Sequence, residues 1–229
     1  FMNKQLLLFL YLFYINTASA QRVKQYPVKV GEIPNKVLPR EAMYLLPAFS
    51  SGTAFFRDGT SSERAFNYNF LLDEMHFLDN AQDTLAVANP ELLSSVVIDS
   101  MVFYYDKGYL RQIFKQGNYK LVLKQQMVQI ADKTRGAYDI ASGSSAIKTY
   151  GYINNSNSRI YKLQVEKDVL FKEVKSFYIA DASNHFLKAD KRNFYALFEG
   201  DKVRQYIKEH KVNFNNEDDL AALLRVCAE

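Results

Sequence analysis

The clearest alternation of apolar and polar residues lies between Asn118 and Asp132, and it predicts a long β-strand. In its first half, apolar residues alternate with lysines at the two-residue period of a half-buried strand. These positions are Tyr119, Lys120, Leu121, Leu123 and Lys124. Beyond Gln125 the apolar residues change parity, to Val128 and Ile130, and one extra residue in the strand explains such a change. We therefore expect a β-bulge near Gln125 and, because a long bent strand lies at its centre, a curved antiparallel sheet.

Shorter alternating runs on either side of this strand predict an antiparallel meander. Phe66, Tyr68 and Phe70 alternate with asparagines. The alternation resumes at Met75 on the other parity, after Asp73, and a tight hairpin turn explains that break. Further runs recur about every 8–12 residues, a spacing typical of a meander rather than of a repeat of strands and helices. The last of them are three predicted strands at 160–165, 169–174 and 176–180.

The apolar residues near the C-terminus change to a helical period and predict three short helices. Their stripes are, in order, Phe194, Leu197 and Phe198; Val203, Tyr206, Ile207 and His210; and Leu220, Leu223, Leu224 and Cys227. Gly200 ends the first helix, and Asp201 and Asn216 are the expected N-caps of the second and third. Because each helix has one apolar face, each must pack on the sheet or on another helix.

Together these elements predict an α+β fold. A curved antiparallel sheet of about eight to ten strands, closing partly as a barrel or sandwich, is followed by three short C-terminal helices. The expected segments are a signal peptide (1–20), a proline-containing N-terminal arm (21–48), an antiparallel β domain (49–182) and a C-terminal helical segment packed on the sheet (183–229). We expect the arm to lie over the domain or to form a flexible leader, without a fold of its own, because proline removes backbone donors.

The first twenty residues have the features of a secretion signal in the usual order. Lys4 is followed by an apolar run, Leu6–Ile15, that is too short to span a bilayer. Small residues then lead to Ala20. We expect export to the periplasm or the outer cell surface, with cleavage after Ala20. Gln21 follows, whereas a lipoprotein would carry cysteine there.

Composition narrows the function classes. The chain of 229 residues is 48% hydrophobic and carries a formal net charge of +4, which is spread along the sequence and does not form the basic cluster that nucleic-acid binding needs. No later segment has the run of apolar residues required of a membrane helix, so we expect no transmembrane segment in the mature chain. Cys227 is the single cysteine, which excludes an intramolecular disulfide and fits a small buried apolar residue.

The three histidines give only weak indications of catalysis. His76 follows Glu74 by two residues, as a base oriented by an acid would, but a solvent-facing strand position is the favoured interpretation. Ser183 and His185 lie close to an aspartate, which invites a serine hydrolase. A catalytic triad, however, needs groups from separate elements and an oxyanion hole, and no nucleophile-elbow pattern is present. For His210, the dipole of its predicted helix and packing are sufficient explanations.

The sequence predicts neither metal nor cofactor. No histidine pair has i, i+4 spacing, one cysteine cannot build a thiolate site, and no glycine loop precedes a helix in the manner of a phosphate cradle. The acidic run 215–219 lacks the alternating ligands of a calcium loop, and helix capping explains it. We therefore expect a protein that is not an enzyme and has no cofactor.

The segment 136–159 is the one stretch without an evident structural role. It is rich in Ser, Gly and Asn and contains Tyr138, Tyr150 and Tyr152. Tyrosines on an adaptable loop provide a large amphipathic contact area, so these three are the candidate ligand- or partner-binding residues. The alternative is a disordered surface loop. The partner would be an envelope protein or ligand that the sequence does not identify.

Several motifs spread over the chain resemble an uncharacterised family of secreted Gram-negative envelope proteins. The matching stretches are 58–59, 66–75, 83–85, 136–138, 184–186, 206–208, 213–215 and 219–220. The resemblance implies an exported envelope protein and no assigned activity. One departure is Asp73, where the likeness implies glycine or a similar turn residue.

The leading hypothesis is a non-enzymatic, exported cell-envelope protein that serves as a binding or interaction module. The first alternative is a carrier for a lipid or small apolar ligand in a cavity of the curved sheet. A less favoured alternative is a serine hydrolase that uses Ser183 and His185.

Overall fold

A computed structural model describes residues 24–130, 164–165, 167–198 and 200–228, which form eleven strands and five α-helices. The strands are β1 (Gln25–Val28), β2 (Ser50–Phe56), β3 (Ser61–Asn69), β4 (Glu74–Leu78), β5 (Thr84–Ala86), β6 (Leu93–Ile98), β7 (Met101–Tyr105), β8 (Tyr109–Gln116), β9 (Tyr119–Ile130), β10 (Val169–Ala180) and β11 (Phe186–Lys188). The helices are α1 (Pro34–Val37), α2 (Arg40–Met43), α3 (Lys191–Leu197), α4 (Asp201–His210) and α5 (Glu217–Cys227). The predicted α+β class is confirmed.

All eleven strands belong to one antiparallel sheet that does not close. Its order is β1-β10-β9-β8-β7-β6-β2-β3-β4-β5, and β11 also pairs with β10. The consecutive pairing from β6 to β10 is the predicted meander.

The sheet curls until β3 touches β9, although four strands separate them in the sheet order. The backbone amide of Met127 donates to the carbonyl of Phe70 at 2.9 Å. The hydroxyl of Tyr68 donates to the carbonyl of Gln125 at 2.9 Å. Contacts between strands so distant in one sheet require strong curvature, as the sequence predicted.

Two buried clusters hold the fold together. The sheet core gathers side chains from strands along the whole sheet, and its largest fully buried members are Phe66, Phe103, Phe171 and Met75. The helix core lies between the C-terminal helices and the β8–β10 region, and includes Leu121, Ile179, Phe194, Leu220, Leu223 and Leu224. Strands β9 and β10 contribute side chains to both clusters, so they join the two halves of the molecule.

The expected bulge near Gln125 is wrong. Strands β9 and β10 pair in unbroken register from Lys120 opposite Ala180 to Ile130 opposite Leu170. The parity of apolar residues changes because both faces of β9 are covered along much of its length, so burial does not follow simple alternation. The separate strands predicted at 169–174 and 176–180 are likewise one continuous strand, β10.

The N-terminal arm is more regular than expected. Its β1 pairs with the edge of β10, and single-turn helices α1 and α2 follow. Backbone hydrogen bonds then tie Met43 to Phe70 and Leu45 to Tyr68, at 2.6 and 3.0 Å. The arm therefore adds an edge strand to the sheet and lies across the end of β3.

The three predicted C-terminal helices are confirmed, with one change in capping. Asn216 caps α5 by accepting a hydrogen bond from the amide of Asp219. Asp201 is the first helical residue of α4 instead of its cap, and Gly200 occupies the cap position with a φ of 126° that favours glycine. Within the described residues, no helix combines the length and apolarity needed to cross a membrane.

Candidate ligand-binding cleft

A small open cleft lies where the β2–β3 turn, the β6–β7–β8 region and the loop before β11 meet. Its volume is about 140 Å³. The lining residues are Arg57, Ser94, Tyr104, Tyr105, Asp106, Ser183, Asn184 and Phe186. This lining combines aromatic rings with hydrogen-bond donors and acceptors.

The rim that carries Asp106 is held by Lys124 of β9. Its ammonium donates to the carbonyl of Lys107 in the β7–β8 turn at 2.6 Å and lies 3.6 Å from a carboxylate oxygen of Asp73. Gly108 follows in the same turn with a φ of 124°, and a Cβ there would collide with both Asp73 and Lys124. The turn therefore packs tightly onto the lysine, which fixes the position of the rim.

Asp73 completes this support from the β3–β4 turn. One carboxylate oxygen accepts from the amide of Tyr109 at 3.1 Å and lies 2.7 Å from the hydroxyl of Tyr68, whose single proton it shares with the carbonyl of Gln125. The other accepts from the side-chain amide of Gln126 at 2.6 Å. Its φ of 51° is in the left-handed region, which glycine adopts without a steric penalty.

The opposite rim is held by Lys120, four residues earlier on the same face of β9. Its ammonium donates to the side-chain oxygen of Asn184 and, at 3.4 Å, to the carbonyl of Asp181. Asp181 in turn accepts from the amides of Ser183 and His185, which closes the loop into a turn. The lysine thus fixes the second rim as Lys124 fixes the first.

Lys120 corrects the strand pattern, which placed the lysines on a solvent-facing side. Only 8% of Lys120 is exposed, and its ammonium lies 4.9 Å from the centre of the Tyr104 ring. No described carboxylate lies within ion-pairing distance of it. Burial lowers the pKa of Lys120, and the charge of Lys115 lowers it further, whereas Asp181 opposes both.

The third side of the cleft is formed by Ser94 and Arg57. The register of β2 and β6 shifts between Phe55 and Phe56, which leaves Ser94 as the extra residue of a β-bulge. Bulges re-aim side chains, and here the bulged serine lines the cleft. Arg57 is anchored by its Nε, which donates to the carbonyl of Glu91 at 3.1 Å.

Aromatic residues form the floor. The ring of Tyr104 contacts Phe186 at a centroid distance of 5.8 Å, and its hydroxyl donates to Gln112 at 3.2 Å. Burial raises the pKa values of Tyr104 and Tyr105, and for Tyr105 the neighbouring carboxylates of Asp73, Glu91 and Asp106 add to the effect. Both phenols are therefore neutral hydrogen-bonding groups at physiological pH.

The expectation that His76 faces solvent is wrong. The residue is 4% exposed, because the N-terminal arm covers this face of β4. The ring lies between the hydroxyl of Tyr44, 2.9 Å from Nδ1, and the carboxylate of Glu74, 2.8 Å from Nε2. The Glu74–His76 pairing considered from the sequence is present. It fastens the arm, together with Asn67, whose side chain bonds the backbone of Leu46.

The remaining candidates divide between structural roles and undescribed positions. Ser183 lines the cleft, while the nearby His185 is exposed. One carboxylate oxygen of Asp181 accepts hydrogen bonds from the backbone amides of both residues. His210 stacks on Tyr206 at the end of α4, and burial raises the pKa of Cys227 to about 11. The candidate binding residues Tyr138, Tyr150 and Tyr152, and the signal peptide, lie outside the described residues.

The acidic run 215–219 covers the start of α5, where Asn216 caps the helix as predicted and Asp219 accepts from the amide of Asn213 at 2.8 Å. Across the described ranges, no group of three or more acidic, histidine or cysteine residues is placed to hold a metal ion.

Sequence reasoning did not single out the cleft. Its lining residues come from positions as far apart as Arg57 and Phe186, which only the sheet topology brings together. Ser183 is the lining residue that the sequence had named, and a second signal was the pair Lys120 and Lys124 on the strand predicted to be central. Two lysines four residues apart lie on the same face of a strand, and on a buried strand such lysines need hydrogen-bond acceptors, which neighbouring loops can provide.

Comparison of the chain with protein-family models, with curated proteins and with solved structures finds no match. The resemblance to secreted Gram-negative envelope proteins therefore stays a prediction.

Proposed function

We propose that this protein is an exported binding module of the cell envelope that holds a small polar ligand in the cleft between the β7–β8 turn and the loop before β11. The observation that carries the proposal is the pair of lysines on β9. Each uses its ammonium to fix one rim, Lys124 through Lys107 and Lys120 through Asn184.

Burying the Lys120 ammonium is costly, so its use to hold a loop calls for an explanation. A rim fixed before a ligand arrives loses little conformational entropy on binding, which is the advantage of preorganisation. The volume of about 140 Å³ limits the ligand to a small one, such as a single sugar ring or an amino acid. The polar lining favours such a ligand over an acyl chain.

The test is ligand screening of the purified mature protein by NMR. A panel of monosaccharides, sugar acids and amino acids at millimolar concentration should move the resonances of cleft residues. Ser94→Trp should abolish the response, because the exposed bulge residue would fill the cleft with an indole. Ser100→Trp, at an exposed turn outside the cleft lining, is the matched control. Equal responses in the two variants, or no response in the parent, would refute the proposal.

Export is proposed from the signal-like residues before Gln21. The expected mature chain begins at Gln21, and the intact mass of protein from an envelope fraction measures this directly. A mass that still includes Leu6–Ile15 would contradict export by this route.

Partner binding by Tyr138, Tyr150 and Tyr152 is a second proposal. Replacing all three by serine should weaken capture of envelope partners and leave thermal stability nearly unchanged. A variant that melts well below the parent would instead indicate that the rings are part of a core.

Two other hypotheses have less support from the geometry. The apolar side chains that an acyl chain would contact are already buried against one another in the sheet core. For a hydrolase, the histidine beside Ser183 is exposed and the nearby carboxylate is engaged by backbone amides. An esterase assay of the parent and Ser183→Ala, and extraction of copurifying lipids, test these alternatives.

A further inference from the structure

The side chain of Asn184 has a fixed orientation because of its partner. Lys120 can only donate hydrogen bonds, so the amide atom facing it must be the oxygen. The opposite side of the amide is then the NH₂ group, which carries two donors. Asn184 lines the cleft, and no described residue accepts a hydrogen bond from that NH₂ group. The cleft is therefore supplied with amide donors.

Arg57 adds a cation to the same lining. Its Nε is engaged by the carbonyl of Glu91, which leaves the two terminal NH₂ groups of an exposed side chain for another acceptor. Guanidinium forms bidentate contacts with carboxylate and phosphate. The buried charge of Lys120 lies behind Asn184 and favours an anion at the same position.

The acidic residue of the lining comes from a different element of the chain. Asp106 belongs to the β7–β8 turn that Lys124 holds, whereas Asn184 belongs to the rim held by Lys120. A carboxylate accepts hydrogen bonds, so Asp106 suits hydroxyl or amino groups on the rest of the ligand. The lining is thus divided between donors and one strong acceptor.

We infer that the cleft selects an oxyanion, a carboxylate or phosphate group, on a small ligand that also carries hydroxyl or amino donors. Asn184 and Arg57 bind the oxyanion, and Lys120 is a positioning residue that orients the Asn184 amide. This inference rests on the proposed function, since it names the ligand class of the same cleft.

The experiment compares glucuronate with glucose, two probes that differ in one carboxylate, and includes inorganic phosphate. Titrations at low ionic strength are followed by NMR through the side-chain amide of Asn184 and the Nε–H of Arg57. Glucuronate should shift both signals and bind about tenfold or more tightly than glucose. A response to phosphate in addition would extend the class to phosphorylated ligands, and glucuronate alone would restrict it to carboxylates.

Asn184→Asp is the decisive variant. It keeps an oxygen for Lys120 and so preserves the rim, but it replaces the amide donors with a negative oxygen. Glucuronate binding should weaken by about tenfold or more, while the melting temperature stays the same or rises. Arg57→Gln should also weaken binding. Arg64→Gln, which removes an exposed arginine of β3 outside the cleft lining, is its control and should not.

The positioning role of Lys120 is tested by the NMR signals of the Asn184 side-chain amide. In Lys120→Met, the signals of that NH₂ group should move toward those of a solvated amide and glucuronate binding should fall. If the variant does not fold, Asn184→Asp and Arg57→Gln still decide the inference.

The outcomes separate the inference from the proposed function. Glucuronate binding that is unchanged in Asn184→Asp, or equal losses in Arg57→Gln and Arg64→Gln, would overturn the oxyanion site. If glucose binds in the cleft as well as glucuronate does, the inference fails and the proposed function stands. If the whole ligand panel leaves the cleft signals unmoved, both fail.

Discussion

Asp73 combines a left-handed backbone with a side chain that joins three parts of the sheet. Its carboxylate contacts Tyr68 of β3, Tyr109 at the start of β8 and Gln126 of β9. The residue thus ties the β3–β4 turn to the strands that support the cleft. A glycine would satisfy the backbone at this position but could not provide these hydrogen bonds.

Replacing Asp73 should separate the two contributions. Asp73→Ala is expected to lower the free energy of unfolding by about 2–4 kcal/mol, because it leaves buried donors without their acceptor. Asp73→Gly should be about 1 kcal/mol less damaging, since glycine adopts positive φ without a Cβ penalty. Urea denaturation of both variants measures the difference. Equal losses would mean that the backbone conformation stores no strain.

Cys227 should be a poorly reactive thiol in the folded protein. Burial raises its pKa from 9.0 to about 11, and a shift of two units lowers the thiolate fraction about a hundredfold near pH 8. Alkylation by iodoacetamide should therefore be slower in buffer than in urea by about that factor. The folded thiol keeps its proton up to about pH 11, whereas the unfolded thiol loses it near pH 9. The protonated thiol therefore contributes fully to stability below pH 9, and this contribution is lost as the pH rises through about 11. Equal rates in buffer and urea would contradict the assignment.

At the scale of single elements, helix α5 is a structural part of the fold. Leu220, Leu223 and Leu224 are fully buried in the helix core, as their spacing predicted. Leu224→Ala should cost about 2–5 kcal/mol of unfolding free energy, the range for a buried leucine. Asp218→Ala, on the exposed side of the same helix, should change it by no more than about 1 kcal/mol, the contribution of a carboxylate in the first turn. Chemical denaturation compares the two, and a small loss in Leu224→Ala would show that the helix is not docked.

Elements whose pattern is local were predictable. The β3–β4 hairpin, the Asn216 cap and the apolar stripes of the C-terminal helices follow from periodicity and turn chemistry, which act over a few residues. Where a distant segment covers a face, the pattern misled. His76 reads as a polar position on an exposed face until Tyr44 of the arm lies over it. The apparent bulge at Gln125 has the same origin, since burial on both faces of β9 removes the alternation.

At the scale of the whole molecule, the two cores are expected to unfold together. Strand β9 places Leu121 in the helix core and Met127 in the sheet core, and β10 does the same with Ile179 and Phe171. Leu223→Ala in the helix core should therefore lower one common transition. Far-UV circular dichroism and tyrosine fluorescence should give coincident unfolding curves. An early loss of helix with the sheet signal intact would indicate two independent units.

The cleft depends on how distant parts of the whole molecule come together, and for that reason the sequence did not reveal it. Arg57, Ser94 and Asn184 meet only because the sheet order places β2 beside β6 and because Lys120 draws the loop before β11 toward β9. None of these contacts has a periodic signature. The prediction of a curved sheet was necessary for such a cleft but did not locate it.

The pairing of β1 with β10 has a consequence for how the chain comes to be folded. Gln25 lies opposite Lys172, so the partners are 172 − 25 = 147 residues apart along the chain. During synthesis from the N-terminus, β1 has no partner until the chain has been extended through Lys172. Contacts of such long range form slowly. A newly made chain should therefore stay unfolded for longer than a protein with mostly local contacts, and this delay would favour the proposed export across a membrane.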